Sequence, residues 1–130
     1  MSYNLFLDDV RWPHQVSWVA LPLVEWKIVR SYQEFVNYVK ANGLPKRVTF
    51  DHDLGPEHYT YDWSGTDLYP NQDTGYDCVK WLVQYCQDHN LAFPEYHLHT
   101  MNVVGLENMK SYIEAFKRSA QQKELAKKKN

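Results

Sequence analysis

Four short apolar runs alternate with segments whose apolar residues recur at helical spacing, and this alternation predicts an α/β chain. Strands are expected at about Tyr3 to Leu7, Glu25 to Val29, Arg47 to Phe50 and Glu95 to His99. The stretch from Asp8 to Val24 carries Pro13, Pro22 and scattered aromatics, which predicts a loop or distorted turn where a crossover helix would otherwise run. Ser31 with Glu34 three residues on reads as a capping box. Phe35, Tyr38 and Val39 give the following helix an apolar face, and Asn42-Gly43 ahead of Pro45 ends it. A second helix opens at Gly75 with Cys78, Trp81, Leu82, Tyr85 and Cys86 at helical intervals. A third starts near Gly105 or Leu106 and presents Met109, Tyr112, Ile113 and Phe116. Past Ser119 the pattern dissolves into lysines, so one domain over 1–120 and a basic, frayed tail over 121–130 are expected. The segment from Leu54 to Thr74 is long and irregular, with Gly55, Pro56, Gly65 and Pro70, a length typical of lids and binding loops.

Composition narrows the class without naming a function. The chain has 130 residues, enough for one core and not for two. A net charge of −2 argues against general polyanion binding, and no stable association with duplex nucleic acid is expected. No signal-peptide pattern and no apolar run of ~18 residues occurs, which predicts a cytoplasmic protein without a membrane partner. Cys78 and Cys86 would lie about 12 Å apart along one helix, too far for a disulfide, so two reduced and buried thiols are expected.

The candidate chemistry sits where apolar runs stop. Leu5-Phe6-Leu7 ends in Asp8-Asp9, and Val48-Thr49-Phe50 ends in Asp51-His52-Asp53. Both clusters fall at carboxyl ends of strands, the edge of a parallel sheet at which ligand sites form. Carboxylates gathered there repel one another unless a hard cation such as Mg²⁺ neutralises them, which makes Asp8, Asp9, Asp51 and Asp53 candidate metal ligands. The plainer alternative is that Asp8 caps the following turn and Asp51 or Asp53 forms an Asx-turn. His97 and His99 share a strand face; His99 lies nearer the acidic edge and reads as functional, His97 as a half-exposed strand residue. His52, between two carboxylates, is placed to donate a proton to a leaving alkoxide. Arg11 either contacts a phosphate or pairs with a local aspartate. His14, His58 and His89 read as surface residues. Tyr59, Tyr61, Trp63 and Tyr69 either stack on a nucleobase or fold back over the sheet edge. The chain has no Walker loop, Gly-x-Gly-x-x-Gly, Cys-x-x-Cys or Gly-x-Ser-x-Gly motif, which disfavours kinases, dinucleotide-dependent dehydrogenases, zinc ribbons and serine hydrolases.

Four motifs together resemble the cyclic-phosphate processing receiver domains of bacteria and phages, relatives of the response-regulator receiver. They are Phe6-Leu7-Asp8-Asp9-Val10-Arg11-Trp12-Pro13, Phe50-Asp51-His52-Asp53-Leu54-Gly55, Thr74-Gly75-Tyr76-Asp77, and His99-Thr100-x-Asn102 with Gly105 and Asn108-Met109. The resemblance runs from about Tyr3 to Ile113. It implies a compact sheet flanked by helices, with Asp8 and Asp9 in the metal-binding role and Asp51 in the position of a receiver's phosphoacceptor. It departs in lacking a fifth strand with a phosphoryl-contacting lysine and in adding His52, Asp53 and His99, differences that favour hydrolysis over aspartyl-phosphate signalling.

The combined expectation is a single three-layer, receiver-like (flavodoxin-like) α/β domain with a short, mainly parallel sheet of about four strands, order 2-1-3-4. Its expected activity is metal-dependent hydrolysis of a cyclic phosphate, on a 2′,3′-cyclic RNA end or a cyclic nucleotide signal; in a phage this would be an anti-defence activity. Mg²⁺ or Mn²⁺ would sit on Asp8, Asp9, Asp51 and Asp53. His52, His99 and Asp51 would be catalytic, and Arg11, Thr100 and Asn102 would bind substrate. The alternative is a non-enzymatic receiver-like module that binds metal plus a nucleotide or protein partner.

Overall fold

Strands β1 (Asn4–Leu7), β2 (Lys27–Val29), β3 (Arg47–Phe50) and β4 (Glu95–Leu98) form one parallel sheet in the expected order β2-β1-β3-β4. The sheet belongs to a computed structural model that describes residues 2–54 and 74–128, with side chains through Lys123. The interior of the long segment between Leu54 and Thr74, including His58, Tyr59, Tyr61, Trp63 and Tyr69, lies outside the described residues. Strand β2 is shorter than its apolar pattern suggests. The Glu25 carbonyl accepts from Asn4 Nδ2 at 3.0 Å, and ladder pairing begins only at Leu5 beside Lys27.

Pleating sends Leu5, Leu7, Val48 and Phe50 to one face and Phe6 and Thr49 to the other. The first face shares a continuous core with Phe35, Val36 and Val39 of α1 (Tyr32–Asn42), with Cys78, Val79 and Leu82 of α2 (Gly75–Asp88), and with Met109 and Ile113 of α3 (Val103–Lys128). All three helices therefore cover one side of the sheet. On the other side Phe6 is fully buried, packing on Trp26 and stacked 4.8 Å from the ring of His99, while Trp18 donates Nε1–H to the His99 carbonyl at 2.8 Å. The third layer is thus the irregular segment between β1 and β2. Pro13 and Pro22 keep it from forming a helix, and its only regular piece is a 3₁₀ turn at Pro13–Gln15.

Helix boundaries follow from their caps. The Ser31 hydroxyl accepts the Glu34 N–H at 3.1 Å, but Glu34 Oε1 accepts from the Arg30 N–H, one residue earlier than a capping box would place it. Gly43, at φ 87°, ends α1 as expected. Thr74 and Asp77 form a full capping box at the start of α2: the Asp77 carboxylate accepts the Thr74 N–H at 2.7 Å and the Thr74 hydroxyl accepts the Asp77 N–H. Helix α3 starts two positions before the predicted Gly105 because Asn102 is its cap, with Oδ1 accepting the Gly105 N–H at 2.9 Å. It also continues through Lys128, past the Ser119 at which the periodicity stops. Residues 117–123 are exposed, so helix propensity of the Ala, Gln and Lys side chains there extends the rod without burying a face. Both cysteines are buried in α2 with no disulfide between them, and burial pushes the Cys86 thiol up to about 11. No helix among the described residues is long and apolar enough to cross a membrane.

Candidate metal centre

Parallel pairing brings Leu7 level with Phe50, and the residues that follow each strand, Asp8-Asp9 and Asp51, come together at the carboxyl edge. Asp8, Asp9 and Asp51 each offer a carboxylate oxygen, and these atoms lie within 4.8 Å of one another. Asp8 and Asp51 are buried, whereas Asp9 is half-buried. Asp53 does not join the cluster among the described residues. It is half-exposed and accepts from, or pairs with, His52 Nδ1 at 3.0 Å.

Asp8 is held from several directions. Oδ1 accepts the backbone N–H groups of Val10 and Arg11, both at 2.9 Å, so the turn-capping alternative is realised. Oδ2 faces His99 Nε2 at 3.1 Å, and since an ionised carboxylate only accepts, that nitrogen carries the proton. Burial opposes ionisation of Asp8, but the hydrogen bond from His99, those from Arg11 and Val10, and the imidazole's charge outweigh it and hold the carboxyl well below its usual range. Asp51 goes the other way. Burial, then the charge of Asp8, push it up to about 6, against the opposing pull of His99, the His52 N–H and Arg11. Two neighbouring carboxylates whose ionisations diverge in this way mark a site short of positive charge. An all-oxygen, partly buried carboxylate set with that deficit fits an oxygen-preferring divalent cation.

The expected histidines separate into different roles. His99 has no exposed surface, is stacked on Phe6, and has its second nitrogen, Nδ1, 2.7 Å from the Thr49 hydroxyl. His99, expected to share acid and base duty with His52, is thus enclosed in this structure, with Asp8 as the partner of its Nε2. His52 is half-buried at the edge, with Nδ1 near both Asp53 and Asn102 Nδ2, the latter at 3.5 Å. His97 lies on the sheet face with Nε2 3.4 Å from Glu95, away from the acidic edge. Thr100 and Asn102 are engaged in the β4–α3 turn, the Thr100 hydroxyl accepting the Asn102 N–H at 3.1 Å. Arg11 reaches inward, with Nη1 3.5 Å from Asp8 and 3.7 Å from Asp51, its guanidinium 5.1 Å above the Trp18 ring.

Arg30 and Thr49 lie outside the site residues expected from the sequence, and Gly105 belongs to a motif that did not reveal its role. Arg30 donates from Nη1 to the carbonyls of Asp8 and Arg11, at 3.2 and 2.6 Å, and stacks over Trp12. It follows β2 directly, so the strand-end logic that singles out Asp8 applies to it too. Thr49 is a polar residue between the apolar Val48 and Phe50 of β3, a weak signal for a buried partner. Gly105 leaves room for His52: a Cβ there would lie 2.4 Å from the imidazole Cδ2 and 2.5 Å from Cγ. Gly105→Ala should therefore displace the His52 ring, while the helix gains up to ~1 kcal/mol from alanine's propensity. The expected result is at least a tenfold loss of any His52-dependent activity with melting temperature unchanged or raised; an unchanged activity would mean that the ring position is unimportant.

A family model described as the cyclic-phosphate processing Receiver domain matches residues 3–115. Searches of curated proteins and of solved structures each found no match.

Proposed function

The chain belongs to the cyclic-phosphate processing receiver domain family, and from that premise we propose that it hydrolyses a cyclic phosphate with the aid of a divalent cation. The observation that carries this reading is the convergence of Asp8, Asp9 and Asp51 at one sheet edge, with Asp51 directly followed by a half-buried histidine. These three aspartates would hold Mg²⁺ or Mn²⁺, and the ion would supply positive charge and Lewis acidity at the phosphate. Ring opening adds one water: its oxygen bonds to phosphorus, one ring P–O bond breaks, and the departing oxygen takes a proton. His52 is the proton carrier in this scheme. Nδ1–H donating to the Asp53 carboxylate orients the ring and leaves Nε2 for the exchange. His99 is a positioning residue that keeps Asp8 ionised and aimed, with Thr49 fixing its ring in turn. Arg11 supplies a bidentate contact to phosphate oxygens, and the turn made by Thr100 and Asn102 shapes the opposite wall.

The burial of His99 and the structural duties of Thr100 and Asn102 favour a second reading, in which the site binds a nucleotide with metal and does not turn it over. Incubation with 2′,3′-cyclic mononucleotides, cyclic-ended RNA and cyclic di- and oligonucleotides, with Mg²⁺ or Mn²⁺ and with product mass as readout, separates the two. Hydrolysis predicts a mass gain of one water that chelation abolishes, and a loss of about 10²- to 10⁴-fold in kcat for His52→Ala with metal affinity retained. Ligand that binds and is recovered intact in every case would establish the binding module instead.

A further inference from the structure

Arg11 and a divalent cation make the same claim on the same oxygens. The guanidinium lies 3.5 Å from Asp8 Oδ2 and 3.7 Å from Asp51 Oδ2, two of the three carboxylates of the candidate centre. It cannot lose its proton, so a cation coordinated by those carboxylates at roughly 2.0–2.6 Å would face a fixed positive charge a few ångströms away. Both cannot stay. The backbone of Arg11 is pinned, its N–H on Asp8 Oδ1 and its carbonyl under Arg30, which leaves the side chain as the part that moves. The side chain is one-third exposed, and the Trp18 ring beneath it is tied to the end of β4 through the His99 carbonyl. A flat aromatic face lets a guanidinium slide while keeping its cation–π attraction.

We propose that Arg11 is an exchangeable counter-cation: it partly offsets the charge of Asp8 and Asp51 in the metal-free protein, then turns outward across Trp18 to a phosphate when a divalent cation takes its place. The inference rests on the metal-dependent reading above. It predicts effects of opposite sign from one side chain, because removing Arg11 frees the carboxylates for metal and deprives the phosphate of a partner. A residue that merely stiffened the loop would weaken both.

The test is calorimetric titration of the full chain with Mn²⁺ alone, then with inorganic phosphate at saturating Mn²⁺. Arg11→Gln should bind Mn²⁺ about 3- to 10-fold more tightly and phosphate about 3- to 10-fold more weakly than wild type, the range expected for a partly exposed ion pair. Arg11→Lys keeps the charge and should stay within about twofold of wild type for Mn²⁺. If Arg11→Gln does not fold, Arg11→Met against Arg11→Lys makes the same comparison. Equal or weaker Mn²⁺ binding in the uncharged variant overturns the exchange while leaving the metal centre standing. Failure of wild type and every variant to bind Mn²⁺ overturns the metal centre itself, and the exchange with it.

Discussion

Asp51→Asn is expected to make the metal-free protein more stable and to abolish its response to divalent cations. Burial and the neighbouring Asp8 charge push the Asp51 carboxyl up to about 6, above its ordinary value of 3.8. The folded state thus holds that proton more tightly than the unfolded chain does. The stability this confers is complete below the unfolded value and is lost as pH rises through about 6. At neutral pH the ionised Asp51 costs the metal-free fold about 1 to 2 kcal/mol, which asparagine removes while still accepting the His52 N–H through Oδ1. The variant should melt about 3 to 8 °C higher without metal. Saturating Mg²⁺ or Mn²⁺ should reverse the order, since wild type gains about 2.7 kcal/mol at 100 times its Kd and the variant gains little. Thermal melts of both proteins between pH 4 and 8, with chelator and with metal, read all of this. A variant less stable than wild type under chelator would show that pairing with Arg11 outweighs the burial of charge. Asp8 has the opposite sign: its depressed carboxyl adds stability that is present above the ordinary value of 3.8 and lost as pH falls further, so acid unfolding is expected to follow Asp8.

Gly75→Ala is expected to cause the largest loss of stability of any single methyl addition among the described glycines. A Cβ at Gly75 would lie 1.7 Å from the Asp51 carbonyl oxygen, 2.7 Å from its carbon and 3.0 Å from the His52 Cα. All three are backbone atoms, so no rotamer change relieves the clash. The Gly75 N–H also donates to the His52 carbonyl at 2.7 Å, which draws the start of α2 directly onto the end of β3. Accommodating the methyl group means separating these segments, at about 2 to 4 kcal/mol, against which alanine's helical preference returns at most ~1 kcal/mol. Denaturant unfolding should show a lower midpoint at unchanged slope. Divalent-cation affinity should fall as well, because the displaced backbone carries Asp51. Unchanged stability would mean that the β3–α2 junction yields more readily than its close backbone contacts imply.

Much of this architecture was legible in one dimension. The periods of the apolar residues placed four strands and three helices, and caps such as Ser31 and the Asn42-Gly43 stop marked helix α1 to the residue. Aspartates at the ends of β1 and β3 announced the acidic edge, because an apolar run that stops in carboxylates has to stop where charge is tolerated. Asp53 lies outside the three-aspartate cluster among the described residues, with its side chain on His52. For His99, alternation identified its face but not the cover over that face: the Trp18 and Trp26 layer comes from a proline-bearing segment with no period to read.

Local interactions therefore determined the strands, the helices, their caps and the presence of a carboxylate edge, since each depends on residues within a few positions of one another. Tertiary structure alone decided which carboxylates meet, that His99 is buried against Asp8 while His52 stays at the edge, that Arg11 lies beside Asp8 and Asp51, and that Gly75 and Gly105 must lack side chains. Those outcomes depend on distances of a few ångströms between segments far apart in the chain, and neither periodicity nor capping propensity carries that information.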